Sequence, residues 1–147
     1  MFYDLIPGKQ AYLESVENLQ QGTYLLLDEC PCKILRLQLF FSRHGHCAYI
    51  EVENAFSKQI VKIQRSIHGK LEIPLIQFEE YSLIGIQNDD FLTLLNSKGT
   101  IREDIKMPQF KELANKLRMW FEEGKDIIVQ IIKYMDKEEV SEARCEE

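Results

Sequence analysis

From residue 23 onward the chain reads as one short strand-like run after another, each closed by residues that turn a backbone. This succession restricts the fold more than any other feature. In residues 33–39, Leu35, Leu37 and Leu39 alternate with Ile34, Arg36 and Gln38; in residues 47–53, Ala48, Ile50 and Val52 alternate with Tyr49, Glu51 and Glu53. A period of two sends one set to an apolar face and the other to water, which is how a half-buried sheet is written. Residues 23–28 and 59–64 read the same way, and Glu29-Cys30-Pro31 forms a turn between the first two runs. Runs this short, at a spacing of about 8–12 residues, predict a small barrel or sandwich, because closing the sheet removes its unpaired edges.

The character changes over residues 71–87. Pro74 interrupts any central strand, and Glu79-Glu80 stands as a charged pair between apolar runs. A domain junction is expected there, giving domains 1–79 and 80–147. A second set of strands follows at 81–87, 91–96 and 100–105, with Asp89-Asp90 and Lys98-Gly99 as turns. One helix is predicted between Pro108 near its start and Gly124 just past its end. Phe110, Leu113, Leu117, Trp120 and Phe121 form its apolar stripe and read as core; Lys111, Glu112, Lys116, Arg118 and Glu122 take the wet side. Residues 126–135 form a last strand, apolar on both alternating sets and so buried on both faces for part of its length. Residues 136–147 read as a solvated acidic tail or a frayed helix. The expected fold is mainly β, and strands, one amphipathic helix and a closing strand suit an OB-type barrel for the second domain.

Charge narrows the function classes. A net charge of −6 over 147 residues argues against coating nucleic acid through overall charge. The imbalance is local, however: residues 1–79 hold 8 Lys+Arg against 9 Asp+Glu, whereas residues 80–147 hold 10 against 15. The first half is the better candidate to meet a polyanion. Cys30, Cys32, Cys47 and Cys145 do not make a disulfide framework, the first ten residues lack the basic and apolar regions of a signal peptide, and no apolar run spans a bilayer. A cytoplasmic chain with reduced thiols is expected, with no membrane partner. The spacing Cys30-x-Cys32, then His44-x-His46-Cys47, does not suit zinc, so no metal is expected. Ser42 beside His44 lacks the base-plus-orienter arrangement of a nucleophile, and no phosphate-cradling glycine motif occurs. No enzyme, no cofactor and no small-molecule substrate are expected.

Several segments in order resemble one family. "PCKI" at 31–34, "RHGH" at 43–46, "YSLIGIQ" at 81–87, "FLTLLNSKGTIREDIKMP" at 91–108 and "EEGKDIIVQII" at 122–132 are similar to eukaryotic and archaeal translation initiation factor 5A, which is homologous to bacterial elongation factor P. "LIGIQ" followed at this distance by "IRED" is the specific part. The resemblance implies an N-terminal SH3-like barrel followed by a C-terminal OB-fold barrel. It also implies a non-enzymatic translation factor whose partners are the ribosome, rRNA and P-site tRNA. Members act beside peptidyl-tRNA near the exit site, in elongation and termination, through a loop whose lysine is converted to hypusine.

This chain departs from the family at that loop. The lysine position is Arg43, the loop is one residue shorter, and no lysine occurs between Lys33 and Lys58. Hypusine synthesis needs a neutral ε-amine as nucleophile, whereas a guanidinium stays protonated and its delocalised nitrogens attack poorly. Arg43 is therefore expected to be unmodified. It keeps a cation at the tip that can fork onto a phosphate or stack on a base. The candidate RNA-binding loop is Phe41, Arg43, His44, Gly45 and His46. Phe40 and Phe41 have two readings: they pack into the barrel, or they stack on bases. Lys58, Lys62, Arg65 and Lys70, with His68, are candidates for a basic stripe along an RNA backbone, or for an ordinary solvated face. Two roles stay open. One is a working factor in which arginine replaces hypusine; the other is a ribosome- or RNA-binding module that has lost the stimulating activity.

Overall fold

Alternation in the sequence becomes hairpins in the structure, a computed structural model that describes residues 4–146. The chain divides into two units, one ending at Ile76 and the other beginning at Gln77. The first unit holds β1 (Ala11–Ser15), β2 (Tyr24–Leu27), β3 (Cys30–Ser42), β4 (Gly45–Asn54), β5 (Ile60–Ser66) and β6 (Lys70–Pro74). Strands β2-β3-β4-β5 form one antiparallel sheet, and β1 pairs with β6 in a second. Between them lies a core of Val16, Leu25, Cys32, Ile34, Ala48, Ile50, Val52 and Leu71. This is the SH3-like barrel.

Two features of this unit differ from the reading of the sequence. Strand β1 and the 3-10 turn Val16–Asn18 precede residue 23, where strands were first expected. Only Ala11 and Val16 of that stretch are fully buried, too few to show a period. In β3 the alternating set is also not the expected one. A bulge between Ile34 and Arg36 leaves Leu35 as the extra residue, so Leu37 and Leu39 join the face of Ile34. An extra residue flips every later side chain to the other face.

The second unit contains β7 (Gln77–Ile86), β8 (Phe91–Leu95), β9 (Ile101–Lys106), α1 (Lys111–Glu122), β10 (Asp126–Tyr134) and β11 (Lys137–Glu146). The five strands make one antiparallel sheet in the order β11-β10-β7-β8-β9, with the helix between β9 and β10, the third and fourth strands along the chain, the OB topology. Leu92, Leu94, Leu117, Ile127, Val129 and Ile131 are its fully buried centre. The junction precedes Glu79-Glu80, which already lie in β7 opposite Ile131 and Gln130 of β10. The charged pair lies within a paired strand, where Glu80 accepts from Arg144 of β11.

Helix α1 buries Leu113, Ala114 and Leu117, while Phe110 and Trp120 pack partly against the core. Phe121, expected in the stripe, is instead exposed, and Ala114 takes its place. The helix ends at Gly124, whose φ of +73° a side-chain-bearing residue adopts only under strain. The supposed acidic tail is strand β11, with Val140 and Ser141 both buried. A bulge leaves Ser141 of β11 as the extra residue opposite Gln130 and Ile131 of β10, while Ile131 and Ile132, on alternate faces of β10, are both buried, as its two apolar sets predict. Charge hid this strand: two of its acids, Glu138 and Glu139, are bonded to neighbouring residues of the unit rather than left to water. Glu138 accepts two hydrogen bonds from Arg102 of β9 (2.9 and 3.1 Å), joining the two outer strands of the sheet.

Candidate nucleic-acid interface

Strands β3 and β4 run on as an arm past the core, and the pairing holds to the last residues, Ser42 opposite Gly45. Only Arg43 and His44 lie beyond. Neither has positive φ; Gly45 takes that conformation at +102°, so the reversal follows the pattern of a turn closed by a glycine bulge. Ser42 holds the tip together. Its Oγ accepts from the His44 N–H (3.1 Å), donates to the Gly45 carbonyl (3.3 Å) and lies 3.6 Å from Cys47 Sγ. From the sequence Ser42 is weighed only as a nucleophile and its turn role is missed, although a hydroxyl two residues before a turn amide is a recognisable local signal. Arg43 and His44 are exposed and stand at the farthest point of the arm.

Phe41 resolves the question of the paired aromatics in two ways at once. Phe40 is half-buried, whereas Phe41 is 82% exposed and does not pack into the barrel. The Phe41 ring stacks instead on His46, its register partner, at 4.3 Å between centroids and 13° between planes. The loop residues Phe41, Arg43, His44, Gly45 and His46 are thus brought together at one end of one hairpin.

The basic stripe is not brought together. Lys62 lies opposite Glu51, which in turn lies opposite Arg36, on the outer face of the sheet. Arg65 lies opposite Ala48, on the other face. Lys58 sits in the turn after β4 with φ of +65°, at the end away from the tip, and Lys70 opens β6. Side chains three apart on a strand point to opposite faces, so Lys62 and Arg65 cannot share one.

The cysteines are equally dispersed. Cys32 is buried in the first core, and burial pushes its thiol up to about 11. Ten residues of extended strand separate it from Ser42, a span of about 33 Å at roughly 3.3 Å per residue. Cys30 and Cys32 therefore cannot join His44, His46 and Cys47 around one ion. In the second unit a polar cleft of about 360 Å³ is lined by Asp89, Asp90, Lys106, Lys111 and Arg118 among others. Two of its cations are already engaged: Arg118 pairs with Asp90 (3.2 Å), and Lys106 lies over the Phe91 ring (5.4 Å).

Comparison with known proteins gives this geometry a context. The family described as "Eukaryotic elongation factor 5A hypusine, DNA-binding OB fold" matches residues 75–144. Eukaryotic translation initiation factor 5A-3 of Arabidopsis thaliana is 30% identical over 136 residues, covering 90% of this chain and 85% of that protein. The chain belongs to the eukaryotic translation initiation factor 5A family. It is a translation factor by that membership. Factor 5A-4 of Solanum lycopersicum is 26% identical over 136 residues, covering 90% of this chain and 84% of the relative.

Solved structures agree on the fold. A translation initiation factor 5A family protein from Naegleria fowleri superposes with a TM-score of 0.74 at 23% identity, covering 92% of this chain and 99% of that one. The Methanococcus jannaschii factor gives 0.65 at 16% identity, covering 97% and 100%. The two most specific family segments meet physically in the second unit: Gln87 of "LIGIQ" donates to Glu103 of "IRED" at 2.7 Å. Among the described residues no helix is long and apolar enough to cross a membrane.

Proposed function

We propose that this family member binds the ribosome in the cytoplasm, beside the peptidyl-tRNA near the exit site, and supports elongation and termination through the β3–β4 arm with Arg43 unmodified. The observation that carries the reading is the tip itself, a turn of two residues whose outermost cation is an arginine held out by Ser42 and Gly45. A protonated guanidinium has no lone pair with which to accept an aminobutyl group, but its planar fork is suited to a phosphate. The flanking lysines offer no substitute. Lys33 lies in β3 opposite Glu53, near the foot of the arm, and Lys58 lies in the turn after β4. Arg43, His44 and His46 supply donors, Gly45 the turn, and Phe41 an exposed ring.

The test is translation of proline-rich reporters in a system depleted of its own factor. Restored synthesis by the unmodified chain, lost in Arg43→Ala, supports the proposal. Ribosome binding without any change of rate refutes the stimulating role and leaves a module that occupies the ribosome. Peptide mass analysis of the native protein checks the modification separately: a hypusine-sized increment on any residue overturns that part.

A further inference from the structure

The first core stops at Ala48, but the sheet does not. Register places Leu39, Ala48 and Arg65 in one row across β3, β4 and β5. The next row outward is Phe41, His46 and Ile67, the last held by its N–H to the His46 carbonyl (3.1 Å). Partners in register share a face, so both rows continue the face that is core lower down. At this height no core lies over it: Leu39 is 56% exposed and Phe41 82%. Among the described residues of β3, β4 and β5 no carboxylate falls on this face. Glu51 and Glu53 of β4 alternate with the buried Ile50 and Val52, which turns them to the opposite side.

We propose that this face is a stacking subsite for one unpaired nucleobase of a single-stranded nucleic acid, with Phe41 backed by His46 as platform and Arg43 and Arg65 meeting flanking phosphates. The inference rests on the reading of the arm as an RNA-contacting element and adds what the arm takes hold of: a base, not the backbone alone. Three observations converge on that ligand. A benzene ring left in water beside a positive tip has a use when an aromatic partner arrives, and every base offers a π-face. An aromatic ring already stacked on an imidazole presents a flat, ordered platform rather than a loose side chain. Cations without acids on one face suit a polyanion and repel basic partners. A duplex hides its bases in the stack, so the ligand is single-stranded.

Fluorescence anisotropy of the full chain tests this with a labelled eight-nucleotide RNA, an abasic sugar-phosphate oligomer of equal charge, and a blunt RNA duplex. Stacking on an aromatic is worth about 1–3 kcal/mol per base, which predicts a preference of about 5- to 150-fold for the base-bearing strand over the abasic one. Phe41→Ala abolishes the preference and Phe41→Tyr keeps it. Arg43→Ala weakens binding to both strands and lowers the salt slope by about one phosphate contact. Phe41→Trp gives an emission that the RNA quenches and the abasic oligomer does not. Equal affinity for the two strands, an unchanged preference in Phe41→Ala, or no binding of the octamer overturns the subsite. Sedimentation with ribosomes separates the two claims. A chain that sediments but shows no base preference refutes the subsite alone; one that shows the preference but does not sediment refutes the translational reading and leaves the subsite.

Discussion

Replacing Arg102 by alanine removes the clasp between the two outer strands of the second sheet. Its guanidinium donates to Glu138 of β11 at 2.9 and 3.1 Å, to Asp104 at 2.8 and 2.9 Å, and to the Tyr81 hydroxyl at 3.4 Å. Asp104 is 66% exposed, so its share is screened and small. The Glu138 pair decides the size of the effect. With side chains only 20% and 24% exposed it lies between a surface pair, worth at most about 1 kcal/mol, and a buried one, whose breakage costs about 3–5 kcal/mol. A loss of about 2 kcal/mol is expected, part of it from Glu138 left without a counter-charge. For a unit of this size each kcal/mol moves the midpoint by about 4–8 °C, so the second unit should melt about 10 °C lower. Trp120, the sole tryptophan, packs against that unit's core, and its emission reports this unit and not the first. Arg102→Lys should recover part of the loss, since a point charge remains but the fork is gone. A midpoint within about 2 °C of wild type, or strictly additive effects of Arg102→Ala and Glu138→Ala in a double-mutant cycle, would refute the clasp.

Acid should loosen the same unit. The guanidinium of Arg102 holds the Asp104 carboxyl below its ordinary 3.8, and Arg144 does the same for Glu80 below 4.5. Groups depressed in the folded state stabilise it above their unfolded values and lose that contribution as pH falls through the folded ones, so the Trp120 transition should weaken below about pH 4 and stay flat from pH 5 to 8. Gly45→Ala places a Cβ at φ +102°, which should cost about 1 kcal/mol, lower the first unit's melting by circular dichroism and weaken RNA binding without touching the Trp120 signal. Cys32, buried and with its thiol pushed up to about 11, should resist iodoacetamide at pH 7.5 until the first unit unfolds, while Cys47 beside the tip alkylates in the native state.

The sequence disclosed the fold where periodicity and chemistry agreed. Ala48, Ile50 and Val52 read as core from their spacing and are core; Pro108 and Gly124 bracket a helix and do so in the structure. It misled where a single inserted residue or a charge pattern overrode period. The bulge at Leu35 exchanges the faces of Leu37 and Leu39, and nothing in "CKILRLQL" marks it. Strand β11 looked like tail because Glu138, Glu139 and Arg144 are polar, yet each bonds a side chain brought close by folding: Arg102, Gln109 and Glu80. Composition records charge but not whether a counter-charge waits across the sheet. The candidate loop was legible as a glycine-bearing turn with a cation at its tip. The stripe was not, because whether Lys62 and Arg65 share a face is a matter of strand parity, which a list of cations ignores.

That distinction between charges spent and charges held out bears on which unit is better suited to the proposed RNA contact. In the second unit Arg102, Arg118, Lys125 and Arg144 all sit in ion pairs with acids of the same unit. In the first unit only Lys9 does so among the described residues, between Glu29 (2.7 Å) and Glu72 (2.9 Å). Arg36, Arg43, Lys62, Arg65 and Lys70 have no such pair, although this unit carries fewer cations than the other. A cation already matched to a carboxylate must give up that partner to gain a phosphate, and the exchange returns little free energy. An unmatched one releases counterions on binding and gains the full effect. Among the described residues the unpaired arginines, Arg36, Arg43 and Arg65, therefore lie in the first unit, whereas Arg102, Arg118 and Arg144 of the second are all paired with acids, and the arm carries Arg43 at its tip.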